Sequence, residues 1–167
     1  GSFWAHEQKT LMDRVHREST TALEANFLKL YQQRGLELAA LLEETLARPL
    51  SQGDLSHVEN SARQILKQPS VKGLVVFDEQ EEVLFNSYHS DWSIKDRSHQ
   101  ILSYETPQGS TLVQWQGENS LNFLKGIFLE DYFVGGFYFE LSLSDFNQSL
   151  KSIQSSLFQI QKEKNIS

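Results

Sequence analysis

The side chains of this chain able to do chemistry are five histidines, His6, His16, His57, His89 and His99, and a larger set of carboxylates. None of the histidines forms a His-x-x-His, His-x-x-x-His or Glu-containing zinc spacing. His89 and Asp91 share one loop and would make a metal pair, but an exposed polar loop explains them better. The neighbouring carboxylates Glu43-Glu44 and Glu81-Glu82 fall on helix and turn positions, where they are most simply solvated. Gly135-Gly136 lies within a strand and lacks the Lys and Ser/Thr of a phosphate loop, and no Gly-x-Ser-x-Gly elbow is present. There is no cysteine, which excludes disulfides, thiolate metal sites and Cys nucleophiles. The reading is a non-catalytic chain with no metal and no cofactor.

Binding chemistry is better represented. The polar stretch from Tyr88 to Arg97 carries Tyr88, His89, Asp91, Trp92, Lys95 and Arg97, and His99, Tyr104 and Trp115 follow it. Placed over an open sheet face as a lid, these aromatics and cations suit a small carboxylate or similar anion, with Arg97 giving a bidentate contact. The ligand-binding candidates are therefore Tyr88, His89, Trp92, Arg97, His99, Tyr104 and Trp115. A plainer account has Trp92 and Trp115 as core or rim packing and Arg97 in a surface ion pair.

The chain has 167 residues, 39% hydrophobic and 22% charged, which is globular composition at the size of one domain. Its formal net charge of -7 argues against nucleic acid and against an anionic membrane surface as partners. No stretch approaches the ~20 apolar residues needed to span a bilayer. Gly1-Ser2 reads as a cloning scar, and Phe3-Trp4 suit the aromatic belt at the mouth of a membrane helix or, equally, ordinary packing.

The elements that must position the candidates are legible from periodicity. From Glu7 to Arg48 there is one glycine, Gly35, and no proline, and Leu11, Val15, Ala22, Phe27, Leu30, Tyr31, Leu38, Leu41, Leu42 and Thr45 recur at three and four spacing. The spacing predicts a long helix over 3–48, about 60 Å if continuous, stopped by Pro49. Its polar first half is expected to project or dimerise, with Leu11, Val15 and Ala22 at the interface. A second helix is expected over 51–68, capped by Ser51 or Asp54. A sheet over 71–141 follows. Val71–Phe77 and Glu82–Ser87 form its first hairpin, 99–105 and 111–116 a second around Thr106-Pro107-Gln108-Gly109, and 132–141 the last strand, with the apolar run 121–129 open to a strand reading. Tyr132–Leu141 is the most apolar and the expected central strand, with a bulge or close packing at Gly135-Gly136. A final helix spans 142–167, with Phe146, Leu150, Ile153, Leu157 and Ile160 on one stripe. It has no stop signal, which predicts that it continues into something longer.

Helix, helix, five antiparallel strands and helix is an α+β layer arrangement. It resembles the PAS-like sensor fold, also called PDC or Cache, of bacterial two-pass receptors. The run SVKGLVVFDEQEEVLFNSYHSD resembles the periplasmic segment of BarA/GacS-type sensor histidine kinases, and YFVGGFYFELSLSDF resembles their closing strand entering the exit helix. The resemblance covers roughly residues 40 to 150, on fold signals that diguanylate cyclases and chemoreceptors also carry. It departs at Gly117–Tyr132, which is apolar where a polar insertion is expected, and it transfers no ligand residues.

The resemblance implies a periplasmic sensing domain anchored through flanking membrane helices, and the projecting amphipathic first helix, which needs a partner, is expected to make it a homodimer. Its signal would pass through the terminal helices to a cytoplasmic output, a histidine kinase first and a cyclase or chemoreceptor second. The alternative from another class is an adaptor that binds a protein partner through the long helix.

Overall fold

The computed structural model describes residues 2–94 and 112–166, the side chains of 2–4, 16, 149, 161, 165 and 166 excepted. The order of elements is α1 (Ser2–Gln52), α2 (Leu55–Leu66), β1 (Val71–Asp78), β2 (Val83–Asn86), β3 (Val113–Gln116), β4 (Ser120–Leu129), β5 (Tyr132–Ser142) and α3 (Ser144–Ile166). The strands make one antiparallel sheet in the order β2-β1-β5-β4-β3, so β5 is central. The strand expected at 99–105 and its turn at Thr106–Gly109 lie outside the described residues.

Two compact units are present, Gln32–Leu143 and the pair Gly1–Tyr31 with Ser144–Ser167. In the first, strand alternation sorts the sheet into two faces. Leu74, Phe139 and Phe123 pair across β1, β5 and β4, and all three are fully buried. Helix α1 seats on this face with Leu38, Ala39, Leu42, Leu46 and Leu50, the buried stripe of its second half. Gly35 makes the approach possible, since a Cβ there would sit 1.9 Å from the Phe123 ring. Of the apolar positions expected to share one face, Leu38 and Leu42 are buried whereas Leu41 is 44% exposed. Leu41 and Thr45 stand one residue, about 100° of rotation, off the seam.

Pro49 does not stop α1. It lies inside the helix, which runs on through Gln52. A proline in the last turn removes a single backbone bond, to the carbonyl four residues back. The extra turn buries Leu50, worth about 1.5–3 kcal/mol, against roughly 3 kcal/mol for a fully interior proline. The helix is ended instead by Gly53, at φ +65. The Gly53 N–H donates to Leu50 O (3.3 Å) and the Asp54 N–H to Pro49 O (2.9 Å), a Schellman closure. Asp54, not Ser51, then caps α2: its Oδ1 accepts the His57 N–H at 3.2 Å and its Oδ2 meets His57 Nδ1 at 2.6 Å. This contact lowers the Asp54 pKa.

The closing hairpin β4–β5 turns on Glu130 and Asp131, both at positive φ (51 and 68), with Leu129 opposite Tyr132. This is the mirror-image turn that suits the twist of adjacent strands. Gly135 and Gly136 are both paired with β4, and the β4–β5 register shifts just before them, leaving Val134 as the extra residue beside Gly135 at φ +140. Of the bulge or close packing expected at Gly135-Gly136, the bulge falls one residue earlier and the close packing is at the pair itself. In the second unit, Phe27 and Tyr31 of α1 each meet Phe146 of α3 edge-on at 5.9 Å. Burial and the nearby Asp145 raise the Tyr31 pKa. Leu11, Val15 and Leu30 of α1 and Phe158 and Ile160 of α3 are exposed. No helix among the described residues is long and apolar enough to cross a membrane.

Candidate functional site

The face of the sheet opposite α1 is built as cross-strand rungs. One runs Val75–Tyr138–Leu124–Val113 and the next Gly73–Glu140–Asn122–Trp115. Phe77 pairs with Gly136, and its ring lies across that glycine, where a Cβ would meet Phe77 Cζ at 2.6 Å. The result is an aromatic platform centred on Tyr138. Trp92 stacks on Tyr138 at 5.3 Å and on Phe77 at 6.2 Å, and Trp115 stacks on Tyr138 at 5.8 Å.

Polar groups are set into this platform rather than around it. The Tyr138 hydroxyl donates to Asn122 Oδ1 at 2.6 Å. Asn122 Nδ2 donates to the Trp115 carbonyl and to Ser120 Oγ, both at 3.4 Å. Asn122 and Ser120 are buried, so these bonds replace water that neither can reach. Tyr88 fills the space over Gly73, where a Cβ would lie 2.2 Å from its ring, and its hydroxyl donates to Glu140 Oε1 at 2.7 Å. Lys72 Nζ stands 3.8 Å from the other carboxylate oxygen of Glu140. Burial, then the bond to Glu140, push the Tyr88 phenol far above its ordinary range.

The segment leaving β2 covers the platform because its base is tied to β1. Ser87 N–H donates to Leu74 O (3.0 Å) and Ser87 Oγ accepts the Leu74 N–H (2.9 Å). Asn86 Oδ1 accepts the Tyr88 N–H at 2.9 Å, while its Nδ2 donates to Ser90 O at 3.0 Å. That closed loop turns the chain inward, so Trp92 and Ile94 are buried against the sheet.

Of the seven ligand-binding candidates, Tyr88, Trp92 and Trp115 come together on this face. His89 is exposed and stands outside the buried cluster, as is Asp91 beside it in sequence. Arg97, His99 and Tyr104 lie outside the described residues, as does Lys95. Tyr138, Asn122 and Glu140 were missed by sequence reasoning. Their signal is parity: Tyr138 and Glu140 sit two apart on β5, and Asn122 is the polar break in the apolar run of β4. No group of three or more His, Cys, Asp or Glu able to hold a metal occurs among the described residues.

No family model matches the chain, and no curated protein matches it. Solved structures do. The sensory domain of the Campylobacter jejuni chemoreceptor Tlp3 (CcmL) with isoleucine bound aligns at TM-score 0.60 and 10% identity, over 85% of this chain and 65% of that one. The ligand-binding domain of the same receptor with L-valine gives 0.61 and 11%, over 85% and 65%. A domain of a putative sensory box/GGDEF family protein from Vibrio parahaemolyticus gives 0.55 and 15%, over 83% and 64%. The chain thus spans just under two thirds of the length of these structures and shares their α+β sensory-domain fold.

Proposed function

We propose that this chain is the signal-sensing, periplasmic domain of a membrane-bound bacterial receptor, taking a small carboxylate-bearing ligand between the Tyr138 platform and the segment that begins at Tyr88. The observation that carries the reading is the stack Trp92–Tyr138–Trp115, covered by a tethered segment, in a fold shared with chemoreceptor sensory domains. Aromatic faces take the apolar body of a ligand, and a few placed polar groups orient it. Arg97 is proposed as the contact for the ligand carboxylate, and His99 and Tyr104 as its neighbours. Glu140 lies on the platform face and suits an ammonium group. The bound isoleucine and valine of the Tlp3 structures make aliphatic amino acids the first ligands to try.

The output is proposed to be a histidine kinase, on the resemblance of residues 70–91 and 132–146 to BarA/GacS-type kinases. A chemotaxis output is the second reading, supported by the likeness to Tlp3. Either output would be reached through membrane helices flanking the domain. A homodimer through Leu11, Val15 and Ala22 is supported by their exposure on α1.

Calorimetry of the chain against short carboxylates and aliphatic amino acids tests the site. Saturable binding by the wild type is expected, weakened about tenfold or more in Arg97→Ala, the loss of one charge-assisted pair. Absence of binding across the series, or an affinity unchanged by both Arg97→Ala and Trp92→Ala, would overturn the proposal.

A further inference from the structure

A concavity lies at the opposite end of the strands from Gly73 and Glu140. It is a cavity of about 630 Å³ walled by the α1–α2 turn, the β1–β2 turn and the β4–β5 turn. Its size falls in the range of small-molecule sites. Its lining has two parts. Leu50, Leu84 and Val134 supply an apolar floor, and Tyr132, 76% exposed, stands at its side. Asp78, Glu79 and Glu130 supply carboxylates, and among the described residues that line it there is no Lys, Arg or His.

The backbone adds to the same sign of charge. Ser51 and Gln52, the last residues of α1, line the cavity. A helix end of this polarity carries about half a negative charge, and α1 has no basic residue in its last turn to offset it. A strongly hydrated metal ion would have no use for the apolar floor. A neutral or anionic ligand would leave the carboxylates unmatched. An organic cation with an apolar body satisfies both parts, and an exposed tyrosine ring adds a cation–π contact.

We infer that this cavity is a second binding site, separate from the aromatic platform, for a small organic amine bearing an alkyl or aryl body. The ammonium group meets the Glu79 and Glu130 carboxylates and the α1 terminus, and the apolar body lies on Leu50, Leu84 and Val134.

The test is a ¹⁵N NMR titration of the full chain with phenethylamine, with 2-phenylethanol and phenylacetate as neutral and anionic matches. The amine is expected to give saturable shifts at Gly53, Leu84 and Tyr132. The alcohol should bind at least about tenfold more weakly and the acid not at all. The double variant Glu79→Gln/Glu130→Gln, exposed positions whose folding the same spectrum reports, is expected to lose about tenfold in affinity. Tyr132→Ala is expected to lose about threefold. No saturable shift with the amine, equal response to the alcohol, or shifts confined to Trp92 and Trp115 would each overturn the inference.

Discussion

Tyr88 is the side chain on which the covering segment turns, and its hydrogen bond makes a clean prediction. Tyr88→Phe keeps the ring over Gly73 and removes only the donor to Glu140, whose side chain is 14% exposed. A partly buried carboxylate losing a charged-acceptor bond costs about 1–2 kcal/mol, measurable by urea denaturation. The pH dependence has a definite sign. The folded protein holds the Tyr88 proton more tightly than the unfolded chain, whose phenol titrates near 10.0. Stability from this group is therefore whole below pH 10 and declines as pH rises above it. Tyr88→Phe should flatten the alkaline limb of a stability profile between pH 9 and 11; an unchanged limb would assign the loss to other groups. The same residue shows what sequence could reach. The Tyr88, Trp92 and Trp115 cluster was visible as aromatic composition near one loop. Glu140 was not visible, because it meets Tyr88 across 52 residues of chain, and only the β1–β5 register brings them together.

At the scale of elements, turns and helix ends were the least legible. Pro49 looked like the end of α1, yet the chain continues because Leu50 gains burial and Gly53 supplies the left-handed residue that the closure needs. A Cβ at Gly53 would meet nothing within 4 Å, so substitution there reports backbone conformation alone. Gly53→Ala is expected to destabilise by about 1–2 kcal/mol, and Gly53→Asn by less, since Asn tolerates that region. Equal effects in thermal melts would mean that the left-handed conformation is not what the position demands. The hairpin at Glu130-Asp131 lacks the Asn-Gly signal of its turn type, so only the apolar runs on either side announced it. The apolar content of the strands, by contrast, was readable: β5, the most apolar run, was expected to be central and is.

At the scale of the molecule, helix–sheet–helix order sufficed for the α+β fold, because layer architecture follows from the sequence of periodicities. The exposed half of α1 is where the whole-molecule expectation meets experiment. Leu11 is 59% and Val15 52% exposed, and a helix with such a face is stabilised by a partner. Removing residues before Ala22 should weaken self-association at least about tenfold in sedimentation equilibrium, if two apolar side chains contribute about 1.5 kcal/mol or more. An unchanged association constant would remove the N-terminal helix from the interface.

The order of strands also sets a hierarchy of lifetimes. The eleven-residue β5 is bonded on both sides, whereas β2 has four residues and lies at an edge of the sheet. Interior amides of β5, such as Phe137 and Phe139, should exchange with solvent deuterium only when the fold opens globally, and those of β2 should exchange through cheaper local openings. Since the Tyr88 segment is rooted at the end of β2, its root can detach and reseal many times within one lifetime of the sheet beneath it. Exchange at Ser87 faster than at Phe139 by orders of magnitude would show a platform reached without unfolding; matched rates would mean that access and unfolding are one event.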